Sequence, residues 1–181
     1  MAATHVALLR GINVGGKNML AMTALAKRFT DAGCEDVVTY INSGNVVFRA
    51  TATLAKKLPA VITAALAKHH ELQIPIVLRT AAELAAVVTA NPFLAAKAPP
   101  KELYVGFLAK VPEAAAIAQL DPKRSPPDEF RVIGAEIYLR YRNGAGTTKL
   151  TNAYFDSKLA TVSTVRNWNT VLALHGLVTA A

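Results

Sequence analysis

Apolar and polar positions along this chain change period several times, and each change marks an element. Residues 5–10 form a short apolar run closed by Gly11, the pattern of a buried strand. Residues 19–32 switch to helical spacing: Leu20, Ala24, Leu25, Arg28 and Phe29 share one face, and Gly33 supplies a C-cap. Residues 36–42 and 45–50, rich in Val, Ile, Tyr and Phe, flank Ser43-Gly44 and predict a hairpin with a two-residue turn. Residues 53–70 predict a second amphipathic helix with Thr53 as its N-cap, where Pro59 implies a kink or a late start. Residues 74–80 predict a fourth strand. The order β-α-β-β-α-β is that of a ferredoxin-like plait.

The second half repeats much of this order. A short helix is expected over residues 80–89. The proline-bearing segment from Asn91-Pro92-Phe93 to Pro99-Pro100 then marks a boundary. A strand over 102–108 and a helix over 112–120 follow. Next come a hairpin of 130–133 with 136–141 across Gly134-Ala135, and a helix over 151–159. The pattern over 164–175 predicts a closing helix instead of a fourth strand, so the repeat is expected to be incomplete. The fold expected is α+β: two plait-like (ferredoxin-like) subdomains with largely antiparallel sheets, at 1–95 and 96–181. The second ends in the Arg-Asn-Trp-Asn helix.

Composition narrows the setting. Of 181 residues 52% are hydrophobic and 18% charged, which excludes a disordered chain. No apolar run approaches the roughly 20 residues of a spanning helix, and the N-terminus lacks the pattern of a signal peptide. Cys34 is the single cysteine, so no internal disulfide can form. These features predict a cytoplasmic protein without a membrane partner. The net charge of +8 is diffuse, with ten Lys/Arg against five Asp/Glu in residues 1–100 and ten against seven in 101–181. Such an excess favours an anionic partner, nucleic acid or a phosphorylated small molecule; the bland alternative is a solvated basic surface.

Three polar motifs carry candidate chemistry. Gly11-Ile-Asn-Val-Gly-Gly16-Lys17-Asn18 follows a strand and precedes a helical pattern, so its amides, Arg10 and Lys17 predict an anion seat. The run fits G-x-x-x-x-G-K, but Asn18 stands where a P-loop needs the metal-binding Ser or Thr, which argues against nucleotide hydrolysis. The structural alternative is a tight turn in which Asn13 and Asn18 cap backbone groups. The second motif is the hairpin tip Asn42-Ser43-Gly44-Asn45, whose residues are also those a turn requires. The third is Thr164-Val-Arg166-Asn167-Trp168-Asn169. On a helix it sets Arg166 and Asn169 on one face, against the poor helix propensity of asparagine.

The ligand-binding set predicted is therefore Arg10, Asn13, Lys17, Asn18, Asn42, Ser43, Asn45, Arg166 and Asn169. Arg140, Arg142 and Lys149 predict a basic patch on the second hairpin, without the aromatic signature of an RNA-recognition motif. His5, His69, His70 and His175 lack metal-ligand spacing, and no cofactor or catalytic group is assigned.

Leu-Leu-Arg-Gly-Ile-Asn-Val-Gly-Gly-Lys-Asn at 8–18, Thr-Tyr-Ile-Asn-Ser-Gly-Asn-Val-Val-Phe at 39–48, Asn-Pro-Phe at 91–93 and Thr-Val-Arg-Asn-Trp-Asn-Thr-Val at 164–171 resemble the bacterial family known as domain of unknown function 1697. The resemblance implies two plait-like halves and marks these motifs as hallmarks. It implies no activity, cofactor or catalytic residue. The function expected is a binding module for phosphate-bearing ligands, nucleic acid or nucleotide. The alternatives are an enzyme acting on a small anionic substrate with residues from both halves, or a structural or protein-interaction module.

Overall fold

The computed structural model describes residues 1–180. The chain divides into two compact units, Met1–Ala85 with Leu174–Ala181 and Ala86–Ala173. In the first unit, β1 (Ala3–Leu9), β2 (Glu35–Tyr40), β3 (Asn45–Ala50) and β4 (Ile76–Thr80) form an antiparallel sheet of order β2-β3-β1-β4. Helices α1 (Met22–Asp31) and α2 (Ala52–His70) pack on it through Ala7, Leu9, Val46 and Phe48. The opposite face, with Val6, Leu8, Val47 and Val77, is also buried. That two-sided burial explains why β1 reads as a continuous apolar run and not as an alternation.

The second unit holds β5 (Leu103–Leu108), β6 (Glu129–Ile133), β7 (Glu136–Arg140) and β8 (Ser163–Asn167) in the matching order β6-β7-β5-β8. Helices α5 (Ala114–Ala118) and α6 (Asn152–Leu159) lie on one face around Leu139, Phe155 and Leu159. Three further helices, α3 (Ala81–Thr89), α4 (Pro92–Ala95) and α7 (Trp168–Ala180), complete the chain. Asn91 opens α4 by accepting a hydrogen bond from Phe93 N at 3.0 Å, which accounts locally for the Asn-Pro-Phe motif. The division between the two units falls inside α3 and inside α7.

The predicted fold class holds, and several details change. The closing helix expected over 164–175 is a strand followed by a helix. Arg166 pairs with Val105 and Ser163 with Leu108 in the sheet, so the second plait is complete. Asn167 ends the strand and its Oδ1 accepts from Thr170 N at 2.8 Å, the third residue of α7. Asparagine is well suited to that N-cap position, so its poor propensity inside a helix is no longer anomalous. The same change removes the common helical face of Arg166 and Asn169. α2 is capped by Thr51, not Thr53, and runs through Pro59. α1 begins at Met22 instead of Met19, for a reason found in the loop before it.

Candidate functional site

β1 pairs with β3, so the end of one strand lies beside the start of the other, with Leu8 opposite Asn45. Sheet order therefore brings the glycine-rich loop to the Asn-Ser-Gly-Asn tip, a juxtaposition the plait topology requires. The loop folds as a miniature hairpin. Val14 and Lys17 bridge across Gly15-Gly16, whose φ values of 58° and 74° lie in the left-handed region that glycine adopts most readily, and Lys17 N donates to Val14 O at 3.0 Å. Asn13 N donates to Asn18 O at 3.2 Å, and the Asn18 side chain donates to Gly11 O at 3.0 Å.

Asn13 is the clasp. Its Oδ1 accepts from Leu20 N at 2.7 Å, and its Nδ2 donates to Leu20 O and to Asn42 O, both at 2.9 Å. Residues 18–21 are thereby held out of α1, which explains the late helix start. Three N–H groups of the loop, those of Asn13, Lys17 and Leu20, are used inside it and do not contribute to a seat of loop amides. The arrangement also differs from a P-loop, since Lys17 sits in a hairpin and α1 begins five residues later.

The β2–β3 connection has four residues, Ile41 to Gly44, where a two-residue turn was expected. Ile41 and Gly44 take positive φ, 47° and 75°. Gly44 is held against β1, with Leu9 N donating to Gly44 O at 2.8 Å. A Cβ there would stand 2.9 Å from Leu9 Cβ and 3.1 Å from Ile12 Cγ1. Asn45 is fully buried and donates to Tyr40 O at 3.1 Å and Ser43 Oγ at 3.0 Å.

The joined loops frame a groove of about 530 Å³ lined by Asn13, Met19, Leu20, Ala21 and Asn42. Its lining offers amides and apolar groups and no titratable side chain. Val14, Met19 and Ile41 stand 61%, 69% and 50% exposed on the same two loops. Lys17 is exposed at the hairpin, and Arg10 is half-buried with its N–H on Pro75 O at 3.0 Å. Residues 1–30 and 37–70 contain no Asp or Glu. α1 starts with no side-chain cap on Ala21 and no acidic residue in its first turn.

Of the nine predicted site residues, the structure collects seven in the first unit: Arg10, Asn13, Lys17, Asn18, Asn42, Ser43 and Asn45. Arg166 and Asn169 belong to the second unit. Asn169 is exposed in the first turn of α7. Arg166 is buried on β8, donating through Nη1 to Thr164 Oγ1 at 2.8 Å and Val165 O at 3.0 Å, and burial lowers its pKa to about 10.

Two of the three members of the basic patch expected on the second hairpin are compensated. Arg140 meets Glu102 at 2.9 Å, and Arg142 meets Glu129 at 2.7 Å. His5 is buried, stacked on Phe48 with Nδ1 2.7 Å from Ala3 O, and Cys34 is a buried thiol. Among the described residues, no group of three or more His, Cys, Asp or Glu could hold a metal ion, and no helix is long and apolar enough to cross a membrane. The expected capping role of Asn13 is present, but its bond to Asn42 was not legible because it pairs a side chain with a carbonyl 29 residues away. The only available signal was an asparagine inside a glycine-rich loop.

A family model described as "Protein of unknown function (DUF1697)" matches residues 2–138. The solved structure of a conserved bacterial protein from Streptococcus pneumoniae is similar in fold, with a TM-score of 0.69 at 22% identity over 98% of this chain and 99% of that one. The comparison with curated proteins gave no match.

Proposed function

The chain belongs to the DUF1697 family, and we propose that its first unit binds a phosphate-bearing ligand, a nucleotide or a nucleic acid, on the joined loops. The observation that carries this reading is the groove between them. It is framed by segments without a single carboxylate and has Lys17 exposed on its rim loop. The framing segments present amides, apolar groups and the positive charge of Lys17 to an approaching anion and contribute no carboxylate to offset the attraction. The first turn of α1, also free of acids, adds to the same potential. The lining carries no acid or base, so it supports binding rather than proton transfer.

The test is a calorimetric titration of the full chain with pyrophosphate across a salt series. Affinity is expected to fall as salt rises, because exposed charges are screened. Lys17→Ala should weaken binding by about tenfold, and Arg142→Ala, whose guanidinium is already engaged by Glu129, should leave it unchanged. Equal loss in both variants, or affinity indifferent to salt, would refute the reading.

A further inference from the structure

Two surfaces that a nucleic-acid strand needs are closed in this protein. Plait-fold readers of single strands stack bases on an open sheet face. Here the face of the first sheet opposite α1 and α2 carries Val6, Leu8, Val47 and Val77, all buried. The equivalent face of the second sheet carries Val105, Phe107 and Tyr138, also buried. The arginines of the second hairpin are matched by Glu102 and Glu129. A polymer would need a basic track several phosphates long, whereas the groove between the joined loops lies on the first unit alone.

That groove has the dimensions of a small-molecule site, which typically spans roughly 300–1,000 Å³. We infer that it takes a single nucleoside phosphate, an assignment that rests on the phosphate-binding reading above. The base lies against Met19, Leu20 and Ala21. The phosphate points to Lys17. The Asn42 side chain makes no hydrogen bond among the described residues, while its backbone carbonyl is taken by Asn13. Its carboxamide is therefore available for a base edge, and an asparagine amide matches the paired acceptor and donor of adenine N7 and N6. Met19, 69% exposed in the free protein, acquires a flat apolar partner.

The full chain is titrated with adenosine monophosphate, adenosine, pyrophosphate and a single-stranded oligonucleotide. Adenosine monophosphate should bind at least about tenfold more tightly than adenosine or pyrophosphate. Lys17→Ala should erase its advantage over adenosine. Asn42→Ala should reduce its advantage over pyrophosphate, with melting unchanged because the Asn13 bond goes to the backbone of residue 42. Pyrophosphate binding as tightly as the nucleotide overturns the nucleotide assignment and leaves the phosphate reading standing. Affinity for the oligonucleotide alone, growing with its length, overturns it in favour of a polymer. Binding of none of the four overturns both.

Discussion

The two units share one scaffold and differ at one end of it. In each, the central strand donates to the turn beside it, Leu9 N to Gly44 O at 2.8 Å and Leu108 N to Ala135 O at 2.9 Å. The next residue reaches the segment before the fourth strand, Arg10 N to Pro75 O at 3.0 Å and Ala109 N to Val162 O at 2.9 Å. Each fourth strand carries a buried arginine opposite a central valine, Arg79 with Val6 and Arg166 with Val105. The connection after the central strand, however, spans residues 10–21 in the first unit and only 109–113 in the second. The hairpin connection spans 41–44 in one and 134–135 in the other. Where the second unit has Ala109, Ala135 and Glu136, the first has Arg10, Gly44 and Asn45. A plait closes with minimal turns, as the second unit demonstrates. The added length and polar chemistry of the first are therefore not required by the fold.

The sharpest way to break that contrast is at the turn. Gly44→Ala places a Cβ 2.9 Å from Leu9 Cβ at a φ of 75°, combining overpacking with left-handed strain. Chemical denaturation should show a loss of about 2–4 kcal/mol. Ala135→Gly, at the matching point of the second unit, should lose no more than about 1 kcal/mol. Equal losses would mean that the close approach at Gly44 is not the specialised feature described.

A smaller effect is expected at the clasp, which has no counterpart in the shorter loop of the second unit. Asn13→Ala removes three hydrogen bonds, two to Leu20 and one to Asn42. Because the groups left behind are partly reached by water, the cost should be about 1–3 kcal/mol. Amide exchange at Leu20 should accelerate while that of the second unit stays unchanged. Protection at Leu20 that survives the substitution would show that Asn13 does not hold residues 18–21 off α1.

Alkaline stability gives the mildest test, with one group in each unit. Burial pushes the Cys34 thiol up to about 11, and burial with the charge of Glu136 pushes the Tyr138 phenol up to about 12. Each keeps its proton in the folded chain at a pH where the unfolded chain, at 9.0 or 10.0, has released it. Their stabilisation is complete below those unfolded values and is lost as pH rises through about 11 and about 12. Arg166 runs the other way, since burial lowers its pKa and stability rises with pH above about 10. Cys34→Ala should flatten the fall in melting temperature that begins near pH 9. Tyr138→Phe should flatten the part above pH 10, after a cost of about 1 kcal/mol for its bond to Val87 O. Unaltered slopes in both variants would rule out these groups.

Much of the fold was legible because its strands bury apolar side chains in short runs. β1, β3 and β5 announce themselves in this way, and Gly134 marks a tight turn. β8 did not. Of Ser163, Thr164, Val165, Arg166 and Asn167, only Val165 is apolar, and it shares helical spacing with Trp168 and Leu172. The polar members are made tolerable by side-chain bonds that hydropathy does not register: Ser163 Oγ donates to Asp156 Oδ1 at 2.6 Å and Arg166 to Thr164 Oγ1 at 2.8 Å. At the site, the glycines and asparagines of 11–18 were visible, and so was a turn in which Asn13 and Asn18 cap backbone groups, but the partners of those caps were not. Whether an amide faces a ligand or a neighbouring carbonyl depends on the path of the loop, and that path is set by the Asn13 bridge to residue 42.

The chain has one tryptophan, and it opens α7 at the joint where β8 ends, 3% exposed. Intrinsic emission is therefore a local gauge of the second unit. Its red shift during unfolding times the release of that joint, while circular dichroism averages over every helix and strand. If the two traces superimpose, the units melt as one cooperative body; if emission lags or leads, they are separately stable pieces of one chain.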